Sequence, residues 1–179
     1  LLEEYMTVLK KFGHNLILSP VFTPPLDTAI GGERPTNQLV QICVENGKYS
    51  FDFSLLKRWV DLCKKVGIPY FEISHLFTQW GARYAPKIMA TVDGEYKRIF
   101  GWETNALGEE YSAFLGAFLP ELTAFLKDEG ILDNCVFHVS DEPIVEHGPQ
   151  YNAAKQLLTR YINEDQLIDA LHAYELHES

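Results

Sequence analysis

Residues 135–143 read Cys-Val-Phe-His-Val-Ser-Asp-Glu-Pro, a short apolar run that ends in a serine and two acidic residues. A similar ending occurs twice earlier, in Asn-Leu-Ile-Leu-Ser at residues 15–19 and Tyr-Phe-Glu-Ile-Ser at residues 70–74. Each segment has the length and composition of a β-strand, and a long loop follows it. In parallel β/α proteins, functional side chains collect at the carboxyl ends of the strands. The three segments therefore predict one edge of a parallel sheet as the functional face.

The sequence between these strands alternates helical periodicity with hairpin signals. Four helices are predicted, at residues 2–12, 54–66 (clearly amphipathic), 109–128 (broken or bent near Pro120) and 151–162. Two hairpins are predicted at residues 38–53 and 87–100, with turns at Asn46-Gly47 and Asp93-Gly94, and a last strand at residues 167–171. With the hairpins treated as insertions in the loops after strands, strand and helix alternate. This order is typical of an α/β fold in a single domain, residues 1–179.

The composition excludes several functional classes. The chain of 179 residues is 46% hydrophobic and 22% charged, which excludes intrinsic disorder. With a net charge of −10, the chain lacks the broad basic surface that binding to nucleic acid or to an anionic membrane requires. The three cysteines form no Cys-x-x-Cys pair, and no spacing of His and Asp suits a tetrahedral metal site, so no metal or other cofactor is expected.

The strand segments alternate polar and apolar side chains. Glu72 and Ser74 fall on one face of their strand, and His138 and Ser140 on one face of theirs, with apolar residues on the opposite faces. We expect helices to cover the apolar faces, and the polar faces to line the mouth of a barrel.

The adjacent acids Asp141 and Glu142 are the strongest candidates for chemistry. Two neighbouring carboxylates repel each other, which favours a protonated acid, and Pro143 is expected to hold Glu142 in an extended conformation. A glutamate held rigidly at a strand end suits proton donation to a leaving oxygen. The alternative is a charge pair that opens the following helix.

Residues 137–143, together with residues 71–81 and 100–102, resemble the catalytic domain of glycoside hydrolase family 123, with similarity from about residue 15 to residue 171. The resemblance implies a (β/α)8 barrel of the TIM type and β-N-acetylgalactosaminidase activity, with Asp141 and Glu142 as the catalytic pair. It also implies substrate-assisted retaining catalysis, in which the 2-acetamido group of the sugar is the nucleophile. Glu142 would be the acid and then the base, and Asp141 would orient the acetamido group.

Candidate sugar-binding residues lie in the loops. Three aromatic residues, each of which could instead pack locally, are candidates for a stacking platform: Trp80, Tyr84 and Trp102. His75 and Gln79 are candidates for contacts with sugar hydroxyl groups. Glu72 is expected as a structural ion-pair partner or a substrate ligand, and His138 as a supporting residue or as part of the barrel packing.

Two other functions stay open at this stage. One is a retaining glycosidase with two carboxylates, whose nucleophile lies on a strand outside this sequence, and the other is a non-catalytic carbohydrate-binding relative. A (β/α)8 barrel takes about 250 residues, so we expect part of a barrel, with open sheet edges that favour self-association. The expected partner is a glycan that ends in N-acetylhexosamine, and the compartment is not predictable.

Overall fold

A computed structural model describes residues 1–26, 28–79 and 81–170. In chain order, the helices and strands are α1 (Leu2–Lys11), β1 (Leu16–Ser19), β2 (Gln41–Glu45), β3 (Lys48–Asp52), α2 (Ser54–Val66), β4 (Tyr70–Ile73), β5 (Ile88–Val92), β6 (Glu95–Phe100), α3 (Glu109–Asp128), β7 (Cys135–Phe137) and α4 (Gly148–Leu158). Short 3₁₀ turns lie at Leu132–Asn134, Val145–His147 and Glu164–Gln166. None of the described helices is long and apolar enough to cross a membrane.

The three serine-ended segments form a parallel sheet in the order β1-β4-β7. Leu18 pairs with Glu72, and Glu72 pairs with Val136, so the carboxyl ends of the three strands lie at one edge. This sheet confirms the α/β class. The described residues form no closed barrel, so the (β/α)8 architecture stays a prediction, as does self-association through the sheet edges.

The hairpins form a second sheet of their own. Asn46 and Gly47 both have positive φ angles (51° and 73°), as do Asp93 and Gly94 (48° and 89°), which is the conformation of tight hairpin turns. Both predicted hairpins are confirmed as insertions between a parallel strand and the next helix. They also pair with each other through β2 and β5, in the order β3-β2-β5-β6. Turn signals are local, so they could not predict this long-range pairing.

The aromatic face of α3 fills the core between the sheets. The ring of Phe114 lies 5.0–6.0 Å from the rings of four residues outside α3: Phe22, Tyr49, Phe51 and Phe100. The predicted break at Pro120 is wrong, because α3 continues unbroken over 20 residues. Burial of seven side chains along this helix outweighs the one backbone hydrogen bond that proline cannot donate.

The two faces of the parallel sheet differ as the alternation predicts. Phe71, Ile73 and Phe137 are buried on one face. On the other face, the Glu72 side chain is 27% exposed and Tyr70 is 45% exposed.

Three boundaries differ from the sequence-based prediction. Strand β7 ends at Phe137 rather than at residue 140, and α4 begins at Gly148 because Pro149 fits the first turn of a helix. The predicted strand at 167–171 is reduced to one parallel bridge between Leu167 and Phe137, and residue 171 lies outside the described residues.

Candidate functional site

The strand-end serines form hydrogen bonds at the carboxyl edge of the parallel sheet. All three are buried: Ser19, Ser74 and Ser140. The Ser140 hydroxyl donates to the carbonyl oxygen of Thr78 at 3.0 Å, and Ser19 Oγ accepts from the indole N–H of Trp59 at 3.1 Å. The Ser140 bond therefore ties the residue before Asp141 to the loop that carries Thr78, whereas the Ser19 bond ties the end of β1 to α2.

Asp141 and Glu142 lie in a bend four and five residues after the end of β7. Asp141 is partly buried, Glu142 is exposed, and Pro143 is buried. The expectation of an extended Glu142 is wrong, because its φ angle is +42°. The chain must turn between two buried residues, Ser140 and Pro143, and this turn forces Glu142 into a region that residues other than glycine rarely adopt. Backbone strain of this kind clusters at active sites.

His138 is held between two carboxylates. Its Nε2 lies 2.8 Å from Glu72 Oε1, and its Nδ1 lies 3.1 Å from Asp169 Oδ1. Burial alone lowers the pKa of His138, but the bonds to Asp169 and Glu72 outweigh it and raise the pKa to about 9. The bond to His138 in turn lowers the pKa of Glu72. At neutral pH, His138 is therefore an imidazolium that donates to an anion from each ring nitrogen.

The His75 ring stacks on the His138 ring, with centroids 4.1 Å apart and planes 13° from parallel. Burial first, and the charge of His138 second, lower the pKa of His75 to about 3, so His75 is neutral. Neither ring nitrogen of His75 has a hydrogen-bond partner among the described residues, and the same holds for Thr78 Oγ1 and Gln79 Oε1. Buried polar atoms without partners cost about 1–3 kcal/mol each, so four of them in one five-residue segment mark a place where stability was not the only requirement.

The other candidate sugar-binding residues lie along a neighbouring cleft. Trp102 lines a narrow cleft, donates its indole N–H to the Gly32 carbonyl at 3.0 Å, and meets the ring of Tyr84 edge-on at 6.0 Å. Gln79 Nε2 donates to the carbonyl of Thr28, which also lines the cleft. Trp80 lies outside the described residues.

Thr78 connects the segment that carries Asp141 with the cleft that Trp102 lines. Its carbonyl accepts from Ser140, the residue before Asp141, and it also lines the cleft with Trp102. A second close approach joins the same loops, because a Cβ atom on Gly81 would lie 2.5 Å from His147 Cγ. The structure thus brings Glu72, His75 and His138 into contact, and joins the segment that carries Asp141 to the loop that carries Gln79.

The family model that matches this chain is the catalytic domain of glycoside hydrolase 123, over residues 1–179. The chain belongs to glycoside hydrolase family 123. No curated protein matched the chain.

A solved structure supports the fold of this family 123 domain. It is that of a family 123 glycoside hydrolase from Clostridium perfringens, and its title concerns the details of glycolipid glycan hydrolysis. It matches with a TM-score of 0.71 at 13% sequence identity. The match covers 95% of this chain and 30% of that chain, so the sequence spans less than a third of its structural neighbour.

Sequence reasoning missed two residues of the candidate site, Asp169 and Tyr151. Asp169 accepts hydrogen bonds from His138 and from the hydroxyl of Tyr151, the latter at 2.7 Å. A signal for Asp169 was present, since it is the one charged residue in the apolar run at 167–171. A carboxylate in such a run is expected to be buried with a partner. Tyr151 gave no comparable signal.

Proposed function

We propose that this chain carries the catalytic pair of a retaining glycoside hydrolase that removes terminal β-linked N-acetylgalactosamine from glycans. The observation that carries the proposal is the position of Asp141 and Glu142, in a strained bend at the carboxyl edge of a parallel sheet, within a family 123 catalytic domain. Two adjacent carboxylates are sufficient for this chemistry only when the substrate supplies the nucleophile.

In the first half of the proposed reaction, Glu142 is the general acid. The acetamido carbonyl oxygen of the sugar attacks its own anomeric carbon while the bond to the leaving oxygen breaks, and Glu142 gives its proton to that oxygen. Exposure of the Glu142 side chain lets it reach a substrate that arrives from solvent. The products are the free aglycone and a bicyclic oxazolinium ion.

Asp141 accepts a hydrogen bond from the acetamido N–H in this mechanism. That bond aligns the carbonyl oxygen with the anomeric carbon and stabilises the cation that forms. In the second half, the Glu142 carboxylate takes a proton from water, whose oxygen attacks the anomeric carbon and reopens the ring. Glu142 regains its proton, so one water is consumed for each bond cleaved.

Substrate recognition is assigned to the neighbouring loops. Trp102 and Tyr84 meet edge-on beside the cleft, which supports a role for one indole face as a sugar platform. The unpartnered atoms of His75 and Gln79 support roles in binding sugar hydroxyls. Glu72 and His138 already bond to each other, so we assign them to shaping the pocket rather than to direct contact.

A panel of aryl glycosides tests the proposal on the natural full-length protein. Turnover of the β-N-acetylgalactosaminide, with none of the β-galactoside, is the expected result, because only the first substrate contains the internal nucleophile. Turnover of both would indicate a two-carboxylate enzyme. Sugar binding without turnover would indicate a carbohydrate-binding relative.

A thiazoline analogue of the bicyclic intermediate gives a second readout. It should inhibit competitively and far more tightly than free N-acetylgalactosamine, since it resembles a species that forms only along the substrate-assisted route. Inhibition no tighter than by the free sugar would contradict that route.

A further inference from the structure

The polar cluster described above consists of Glu72, His75, His138 and Asp169. Among these residues, Asp169 forms the most hydrogen bonds. Its side chain is 2% exposed. Oδ1 binds the His138 ring, and Oδ2 accepts from three donors: the Tyr151 hydroxyl at 2.7 Å, the Val139 N–H at 3.2 Å and the Ser140 N–H at 3.5 Å. A buried carboxylate whose two oxygens serve four donors is fixed in position and orientation.

The contacts of Asp169 converge on one short piece of backbone. His138, Val139 and Ser140 are consecutive, and the next two residues are the catalytic pair. Strand β7 ends at Phe137, and among the described residues no sheet ladder holds residues 138–140. Asp169 takes the place of that ladder, because it accepts the backbone N–H groups that a neighbouring strand would otherwise bind.

We propose that Asp169 is a positioning residue for the catalytic pair: it binds His138, Tyr151 and the backbone of residues 139–140, and so fixes the bend that presents Asp141 and Glu142. This inference rests on the proposed function for its catalytic consequence, but the bend itself can be measured without any activity. Asp169 acts through the backbone and does not contact the substrate.

The charge states of the groups around His138 are compatible with one another. The groups that face its ring are Glu72 from β4, His75 from the loop after β4, and Asp169. Burial and the nearby Asp169 raise the pKa of Tyr151, so its hydroxyl remains a donor throughout the working pH range. Because His75 is neutral and His138 is charged, the two stacked rings avoid placing two positive charges 4.1 Å apart.

The test compares D169N with D165N in the natural full-length protein. The amide of D169N keeps the volume and can still accept from Tyr151, but it removes one of the two anions beside His138 and leaves Glu72 in place. Asp165 is an exposed carboxylate four residues earlier in the same segment, so D165N is the matched control. The measurements are kcat and KM across pH, the ring nitrogen titration of His138 by NMR, and amide hydrogen exchange at Val139 and Ser140.

We expect D169N to lower kcat about 100-fold while KM changes little, because a displaced catalytic group costs about that much. The His138 titration should move down from about 9 toward the ordinary histidine value of 6.5, so kcat should gain a new pH dependence between these limits. Exchange at Val139 and Ser140 should become faster. D165N should match the wild type in every measurement.

The Y151F variant keeps the proposal testable if D169N does not fold. It removes one of the four donors to Asp169 and should give faster exchange at Val139 and Ser140, with a smaller loss of kcat. Exchange and kcat equal to those of D165N, in whichever variant folds, would overturn the proposal. Absence of activity in the wild type would overturn the proposed function alone, since the titration and the exchange would still test the bend.

Discussion

The aromatic core around Phe114 and the polar cluster around His138 are built on opposite principles. Phe114 lies within 6.0 Å of the rings of six other residues, and these contacts require volume and shape but no particular direction. The contacts of His138 are charged and directional, and its stacked neighbour His75 has no hydrogen-bond partner among the described residues. The core therefore stabilises the fold, whereas the cluster holds polar groups in fixed positions at a cost in stability.

The E142Q variant gives the largest expected effect, and it should fall on turnover alone. Glutamine cannot donate the proton that the leaving oxygen needs, so we expect kcat to fall by about 100- to 10,000-fold. Because Glu142 is exposed, the midpoint of urea unfolding should stay close to that of the wild type. Initial rates with the aryl β-N-acetylgalactosaminide and an unfolding curve measure both quantities.

Glu146 provides the matched control for Glu142. It is exposed and lies four residues later, within the 3₁₀ turn at Val145–His147. The E146Q variant should retain wild-type turnover. Equal rates in E142Q and E146Q would show that Glu142 is not the general acid.

The F114A variant should produce the reverse pattern. It leaves a cavity among packed rings, and loss of a buried phenylalanine side chain costs about 3–5 kcal/mol in the free energy of unfolding. The protein that remains folded should keep its normal KM, since the ring contacts of Phe114 are with phenylalanine and tyrosine residues rather than with the polar cluster around His138. Urea unfolding measures the loss, and F12A serves as the control, because Phe12 is 80% exposed and its loss should have little effect.

Local sequence signals predicted the elements that depend on local physics. The parallel strands, both tight turns and α2 are set by side-chain alternation, by Asn-Gly and Asp-Gly pairs, and by a left-handed Gly67 at the end of the helix. Pairing of the two hairpins through β2 and β5 depends on contacts between residues about 48 positions apart, which no local pattern encodes.

Most residues of the candidate site were predictable from the sequence, but Asp169, Tyr151 and the contacts between residues were not. The motif around Asp141 and Glu142 was visible. Glu72 was expected to form an ion pair or to bind substrate, and the structure shows an ion pair with His138, while substrate binding stays a prediction. The conformation of Glu142 was predicted wrongly, because the preference imposed by Pro143 is weaker than the need to turn between two buried residues. The contact between Asp169 and His138 spans 31 positions, so only the structure revealed that Asp169 has this partner.

The two stacked histidines should affect the stability of the protein on opposite sides of neutral pH. The pKa of His138 is raised to about 9, so its contribution is complete below its unfolded value of 6.5 and is lost as the pH rises toward 9. The pKa of His75 is lowered to about 3, so only the unfolded chain binds its proton between pH 6.5 and 3, and stability falls as the pH falls through that range. The cluster should therefore give maximal stability near pH 6.5.

A plot of stability against pH should fall on an acidic limb below pH 6.5 and on an alkaline limb above it. Each single variant should remove one of these two limbs. H138Q should flatten the alkaline limb, and H75F should flatten the acidic limb above pH 4.5, below which the lowered pKa of Glu72 adds its own loss. Thermal unfolding from pH 4 to pH 10 measures both limbs. H14Q, at an exposed histidine, is the control. Two unchanged limbs in the cluster variants would contradict the charge states assigned to the rings.

The smallest effect is expected from the replacement of two tryptophans. Each of them donates one indole hydrogen bond, and the two bonds are of about equal length. Trp102 donates to Gly32 at 3.0 Å beside the cleft, and Trp59 donates to Ser19 at 3.1 Å from α2. Replacement by phenylalanine removes that bond and should cost about 1 kcal/mol of stability in each variant. Only W102F should also raise KM, by a few-fold, because it loosens the loop at Gly32 and reduces the aromatic surface that faces the sugar. Equal KM values in W102F and W59F would remove Trp102 from the sugar platform, while leaving the catalytic pair unaffected.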